Sequence, residues 1–552
     1  MPYPKLSQFF RISLPCTLVL ALLLEWWRPF YFLTDDTLSG YLPVAVEFCR
    51  SLWEGKNPFI NDYLFGGHYP LLQDPGGLQL LNPFLWLCSP LALTRYYLWL
   101  PELLNIIYLI IGVQAFGELA LFLNQRYQLQ LRTELIVVAA LSYMFSPFAL
   151  SLGSSWIGFL GNMAALPIIA LGVLKPDGGK RILLGWLFQI TCGHLHPLIF
   201  STIFLTLWSL SVCHQERSWQ PLRRYATSSL GSLLIMAPLL WASWSGFSTS
   251  SRHLQYVPQT DLSRNYPFGL LIFSNLLGPS SALFSSHYYL FLLKLPYVAS
   301  LGWSVAHYTH LFAIIRPLRR DRLWWGLAGL TGLAVVLSTR GPFLSGLMSQ
   351  LPLFKSLRWS FRELLFFLFF VHVWGLWGYA RITANLYRPL LFIGILIAAL
   401  FFVPAGPPSL NPLNSDRTFL LNGQAEAFWH DRRAEWKPGT LLIPVANPVE
   451  IPGFEQPASY ILWGAYNYPS LFRIPSATGY SPTSVRNGLP PGYHPYRWMG
   501  LINKKQSAQI LREYPQYVII TVENISPITF QWQQKGQPDR TFIFSAPATA
   551  RD

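Results

Sequence analysis

Long apolar runs alternate with short basic stretches along the first 400 or so residues, and this alternation predicts the main elements. Runs such as CTLVLALLLEWW, LLNIIYLIIGVQAF, LIVVAALSYMF and LLFIGILIAALFFV come close to the roughly 20 apolar residues that one helical crossing of a bilayer needs. Because they recur, the pattern predicts a polytopic α-helical membrane protein. Beyond about residue 407 the long runs stop, and short β-like segments such as TLLIPVA and YVIITVEN stand among Pro and Gly turns. That is the pattern of a small α/β unit. The expected division is a transmembrane domain over 1–406, with a large outer loop over 33–97, and a soluble domain over 407–552.

Basic loops favour the cytoplasmic side of a membrane, and this fixes the expected orientation. A first helix over about 12–32 starts from a basic terminus and leads into the acidic loop 33–97; a second, over about 98–121, returns to Arg126 and Arg132. Helices over about 135–152 and 156–174 then form a hairpin that ends at Lys175, Lys180 and Arg181. The stretch from Ile182 to Cys213 is too long for one crossing and has basic loops on both sides, so it should cross twice. Its middle is broken by Gly193, His194, Leu195, His196 and Pro197, because Pro lacks an N–H and disfavours a helical residue before it. Further helices over about 225–245, 289–313, 323–338, 359–380 and 389–405 bring the count to about 11. The N-terminus is then cytoplasmic and the C-terminal domain extracytoplasmic, with a bacterial plasma membrane as the expected location.

Composition agrees with lipid as the solvent, since 52% of residues are hydrophobic and only 12% charged. The net charge of +15 does not point to nucleic acid, because the Lys and Arg residues sit in short clusters between apolar runs. Five cysteines, at 16, 49, 88, 192 and 213, suggest neither a disulfide framework nor a CxxC metal site. The first run resembles a signal peptide but lacks a small-residue cleavage site after Trp26, Trp27, Arg28 and Pro29, so an uncleaved helix is expected.

Candidate chemistry collects at the expected outer face. Asp35 and Asp36 directly follow the first helix; they are either a solvated helix end or a general base or metal ligand. His194 and His196 stand two apart in the broken hairpin, where acid, base, metal-ligand and plain hydrogen-bonding roles are all open. Arg358 and Arg362 are four apart and so share one helical face, Glu363 is adjacent, and Arg340 ends the preceding helix.

Several short motifs carry a resemblance. The acidic pair is followed by Trp53, Glu54, Gly55, Lys56, Asn57, Pro58 and by Phe65, Gly66, Gly67, His68. The Gly193-His194 turn resembles a "G-H-P" element, with Leu195 in the place of Pro. Pro352, Phe354, Arg358 and Arg362 resemble a "P-x-F-x-x-x-R-x-x-x-R" approach to a late helix, and Gly479, Tyr480, Ser481, Pro482 a "G-Y-D-P" element with Ser481 in the place of Asp. Together these resemble the YfhO-like bacterial membrane proteins of the GT-C glycosyltransferase superfamily.

The resemblance implies a GT-C-like fold that transfers a sugar from a polyprenyl-phosphate carrier to a glycan, lipid or protein acceptor at the outer membrane face. It implies Asp35, Asp36 and His194 as catalytic candidates, and Arg340, Arg358, Arg362, Glu363, His68 and His196 as substrate- and phosphate-binding candidates. It leaves open a divalent cation, Mg or Mn. The competing expectations are a lipid-linked glycan transporter or flippase and a non-enzymatic cell-envelope scaffold. Membrane lipids are expected partners in each case, and nucleic acid in none.

Overall fold

The computed structural model describes residues 6–27, 29–33, 37–64, 75–248, 320–339, 360–382, 424–437, 440–445, 468–475, 516–525, 528–534 and 536–544, with a few single positions between 314 and 351. The chain divides into two compact units: 1–32, 102–240 and 256–406 form one, and 33–101, 241–255 and 407–552 the other.

The first unit is helical. In chain order its helices are α1 (Leu6–Trp27), α2 (Trp99–Tyr127, whose first residues belong to the second unit), α3 (Thr133–Met144), α4 (Pro147–Ser155), α5 (Gly158–Leu174), α6 (Gly179–Thr191), α7 (Leu195–Glu216), α8 (Gln220–Ser248), α9 (Arg322–Thr339) and α10 (Leu364–Ile382). Among the described residues, four stretches are long and apolar enough to cross a membrane: Leu6–Trp26, Trp99–Tyr127, His196–Glu216 and Gln220–Trp244. The expected helices over 289–313 and 389–405 lie outside the described residues.

Local sequence explains the breaks. A single helix is expected over 135–152, but the chain stops at Phe145 and restarts with Ser146 as N-cap and Pro147 in the first turn of α4. Ser146 Oγ accepts the Ala149 amide at 3.3 Å, while Pro gives up an amide that the first turn would leave unbonded in any case. The expected break in 182–213 falls at 192–194. Gly193 there adopts φ +78°, a left-handed conformation that glycine tolerates well.

The core centres on α10, which is apolar on nearly every side, its buried His372 lying 2.7 Å from the Leu368 carbonyl. Phe366 stacks on Phe204 of α7 at 4.5 Å between ring centres, and Phe369 meets Phe116 of α2 and Tyr143 of α3. A helix with no polar stripe belongs inside a bundle. By contrast, α1 and α8 turn Leu18, Leu22, Leu230, Leu234, Ile235 and Trp241 outward.

The ends of the unit differ in charge. At one end Glu118 of α2 accepts from Lys175 and Arg181 at 3.1 and 2.6 Å, and Arg126 pairs with Glu216 at 3.0 Å. Arg224 donates to the Val173 and Pro176 carbonyls, Arg322 to the His214 carbonyl, and Asp321 accepts from Trp377 Nε1. The basic loops after α2, α5, α7 and before α9 therefore gather at one end.

The second unit holds a four-stranded sheet in the order β1 (Leu441–Val445), β2 (Tyr517–Ile525), β3 (Ile528–Gln534), β4 (Arg540–Phe544). The β1–β2 pair is parallel, with Leu441 opposite Tyr517; the others are antiparallel. Pro444 fits β1 because that strand lies at the sheet edge. β1 and β2 are the strands expected from TLLIPVA and YVIITVEN. A helix, Gln424–Ala434, precedes them.

The first loop packs with the tail in this unit. Its helix Leu42–Trp53 carries Glu47, whose carboxylate accepts from Arg473 Nε at 2.8 Å, while Arg473 Nη1 reaches Glu54 at 2.6 Å. Arg50 Nη1 donates to the Leu471 carbonyl and Asn61 Nδ2 to Ser470 Oγ, both at 2.7 Å.

Candidate functional site

The turn between α6 and α7 meets the short 3-10 turn Ser360–Glu363 that leads into α10. Gly161 allows the approach of α5 beneath that turn, since a Cβ there would collide with Cys192 Sγ. His196, in the first turn of α7, places Nε2 3.0 Å from Glu363 Oε1, and the His196 ring lies 5.1 Å from Phe200. Both partners are withdrawn from water, His196 at 4% exposure and Glu363 at 0%. Burying such a pair is costly unless its polar atoms are bonded.

Arg362 stands one residue before Glu363 and is half-buried. Its guanidinium lies 4.0 Å from the centre of the Trp156 ring. Trp156 occupies the non-helical link between α4 and α5 with an extended backbone. A guanidinium over an indole face keeps its charge while shedding part of its water. His194, at the N-cap of α7, lies within electrostatic reach of Arg362 and His196.

The structure thus brings together four residues singled out in the sequence, His194, His196, Arg362 and Glu363. Trp156 completes the cluster and was not anticipated; its one sequence signal is a lone aromatic in a short break between two apolar runs. Asp35, Asp36, His68, Arg340 and Arg358 lie outside the described residues, as do Gly479 to Pro482. The segment just before the acidic pair is described: Glu25 and the fully buried Glu102 accept the Phe30 and Phe32 amides at 2.9 and 3.0 Å.

The cluster offers a fixed cation, an imidazole–carboxylate pair and a second imidazole. Such a set suits holding an anionic group and moving a proton. Among the described residues, no group of three or more His, Cys, Asp or Glu is arranged to hold a metal ion.

In the second unit, the electrostatics around Arg473 divide. Burial raises the Glu47 carboxyl above its usual range and outweighs the Arg473 bond, whereas hydrogen bonds from Arg473 and Lys56 hold Glu54 down at about 2. Burial alone would lower Arg473, but the two carboxylates more than compensate and hold it above the ordinary guanidinium range. This is a docking contact for residues 468–475.

No protein-family model, curated protein or solved structure matches the chain.

Proposed function

We propose that this chain is a multi-pass membrane glycosyltransferase that moves a sugar from a polyprenyl-phosphate carrier to an acceptor at the outer face of a bacterial plasma membrane. The observation that carries the reading is the buried His196–Glu363 pair beside the Trp156-stacked Arg362, in the helical unit whose basic loops collect at its other end. With the basic loops cytoplasmic, α7 runs from the outer face at His196 to the inner face at Glu216, and about 11 crossings leave the tail outside. Arg362, together with Arg358, binds the phosphate as negative charge develops on the leaving oxygen. Asp35 or Asp36 takes the proton of the acceptor hydroxyl as that oxygen bonds to the sugar. His196 and Glu363 hold the turn of α7 against the arginine. What supports the reading is the half-buried Arg362 stacked on Trp156 beside the His196–Glu363 pair, at the end of the helical unit away from the basic loops, together with the motif resemblance.

The test is transfer in nanodiscs charged with a polyprenyl-phosphate sugar. Arg362→Ala should lower the rate roughly 100- to 1,000-fold, the typical cost of losing a donor aimed at developing charge, with Lys at 362 restoring only part. Wild-type rates for both Asp35→Asn and Asp36→Asn would sink the enzymatic reading. Transbilayer movement of the carrier without transfer would mean a flippase instead. A cytoplasm-dependent reporter fused after Asp552 should stay silent, and activity there would overturn the orientation.

A further inference from the structure

The second unit contains two cysteines, Cys49 and Cys88, both in the first loop; Cys16, Cys192 and Cys213 belong to the helical unit. Spacing along the chain gives no disulfide framework, but folding brings these two to one seam. Cys49 lies in the helix Leu42–Trp53, and Cys88 ends the helix Pro83–Cys88, which runs on as the 3-10 turn Ser89–Leu93. The two segments are joined on either side of the cysteines. Phe48 meets Trp86 at 6.4 Å between ring centres, Trp53 Nε1 donates to Ser89 Oγ at 2.9 Å, and Arg50 Nε donates to the Ala92 carbonyl at 2.9 Å. Cys49 thus stands between two contact residues, Phe48 and Arg50, and Cys88 between Trp86 and Ser89.

Both thiols are withdrawn from water, Cys49 at 0% exposure and Cys88 at 3%. Burial pushes the Cys49 thiol up to about 12, with the nearby Cys88 adding to the rise, and burial pushes Cys88 up to about 11. A thiol held that high is almost wholly protonated and a poor nucleophile. Chemistry at these sulfurs therefore belongs to the stage before the seam closes, and a bond made then is shielded from reductants afterwards.

We propose that Cys49 and Cys88 are an oxidation site, closing to a disulfide that staples the two segments of the first loop. The oxidant is a disulfide donor on the outer side of the membrane, the kind of compartment in which such bonds persist. One cysteine thiolate attacks a donor sulfur and releases the first donor thiol; the other then attacks the cysteine sulfur of the mixed disulfide and releases the second. Two electrons pass from the cysteines to the donor, and the two thiol protons end on the thiols released. Oxidation in the cell rests on the outward placement of the first loop in the proposed function, whereas the pairing rests on the seam alone. The staple holds the helix that carries Glu47 and Arg50, the residues that dock Arg473 and Leu471.

The test traps thiols in the full-length protein. Membranes are quenched in acid and thiols blocked with N-ethylmaleimide in denaturant; the remaining cysteines are then reduced and given a heavier maleimide before peptide mass spectrometry. Cys49 and Cys88 should carry the second label, and Cys16, Cys192 and Cys213 the first. Protein purified under reductant, reconstituted in nanodiscs and exposed to oxidised glutathione should yield a linked Cys49–Cys88 peptide. Linkage in either setting supports the pair. If it forms with glutathione but not in membranes, the pair stands and the outward orientation falls. Thiols, or glutathione on single cysteines, in both settings would overturn the proposal. Cys49→Ala, Cys88→Ala and the double variant give a second measure. A bond closing a loop of about 40 residues should be worth roughly 10 °C in the thermal midpoint, lost in full in each single variant and no further in the double. Additive losses would make the two cysteines packing residues only, and the staple would fall.

Discussion

The two ends of the helical unit handle charge in opposite ways. At the basic end, Glu118 shares two cations, and all three side chains keep between 21% and 39% of their surface in water. At the other end, Glu363 and His196 keep at most 4%. Exposed pairs are weak and interchangeable, so chain topology alone accounts for the basic end. A desolvated carboxylate and imidazole could be replaced by apolar residues at little or no loss of stability. Their presence beside a stacked arginine therefore favours a use beyond holding the fold.

The largest expected effect comes from cutting the buried pair. Glu363→Leu should destabilise the protein by about 3 kcal/mol, since it removes one partner of a buried, hydrogen-bonded pair. Glu363→Gln keeps an acceptor and should cost less than half as much. Thermal unfolding in nanodiscs would measure both; a more stable Glu363→Leu protein would erase the contrast between the ends.

Arg473 in the second unit is an intermediate case, because it bridges a buried Glu47 and a partly exposed Glu54. Arg473→Ala should cost about 2 kcal/mol after allowance for the exposed half of the bridge, read as faster amide exchange over 468–475. The bridge also sets a pH response. Glu54 has its folded pKa lowered to about 2 from 4.5, so its contribution is complete above 4.5 and is lost as pH falls toward 2. Glu47 is raised, so its ionised form opposes folding above its unfolded pKa, and that penalty eases on acidification. Glu54→Gln should remove the acid-side loss of protection, and Glu47→Gln should keep it. The opposite assignment would show that the buried carboxylate governs docking.

Trp156→Leu should cost about 1 kcal/mol from the lost guanidinium–indole contact and should lower transfer more than stability, with Trp156→Phe between the two. An equal loss of both would make Trp156 a packing residue only. The smallest effect is expected at the basic end. Arg181→Ala should cost about 0.5 kcal/mol, because Lys175 remains on Glu118, and added salt should shrink the difference further. A salt-insensitive loss of several kcal/mol there would make the two ends alike.

Much of the helical framework is legible from periodicity and punctuation. Gly193 and Pro197 between two basic loops mark the reversal at 192–194, and the apolar run after Arg362 marks α10. The strands at 441–445 and 517–525 are read from β-branched runs between turns. The break at Phe145 and Ser146 is missed, although Ser-Pro is a capping signal, because a continuous apolar run on either side outweighs it.

The features that the chain fixes directly are local: where apolar length suffices for a helix, where Gly and Pro interrupt it, and which loops are basic. Those features depend on neighbouring residues and on the solvent they face. Partner choice was decided by the tertiary structure alone. Nothing local to Trp156 points to Arg362, nothing local to His196 points to Glu363, and nothing local to Glu47 or Glu54 points to Arg473 of the tail. Such pairs form where distant segments happen to close within about 3 Å of each other, the reach of a hydrogen bond, and that distance is set by the packing of whole helices against one another.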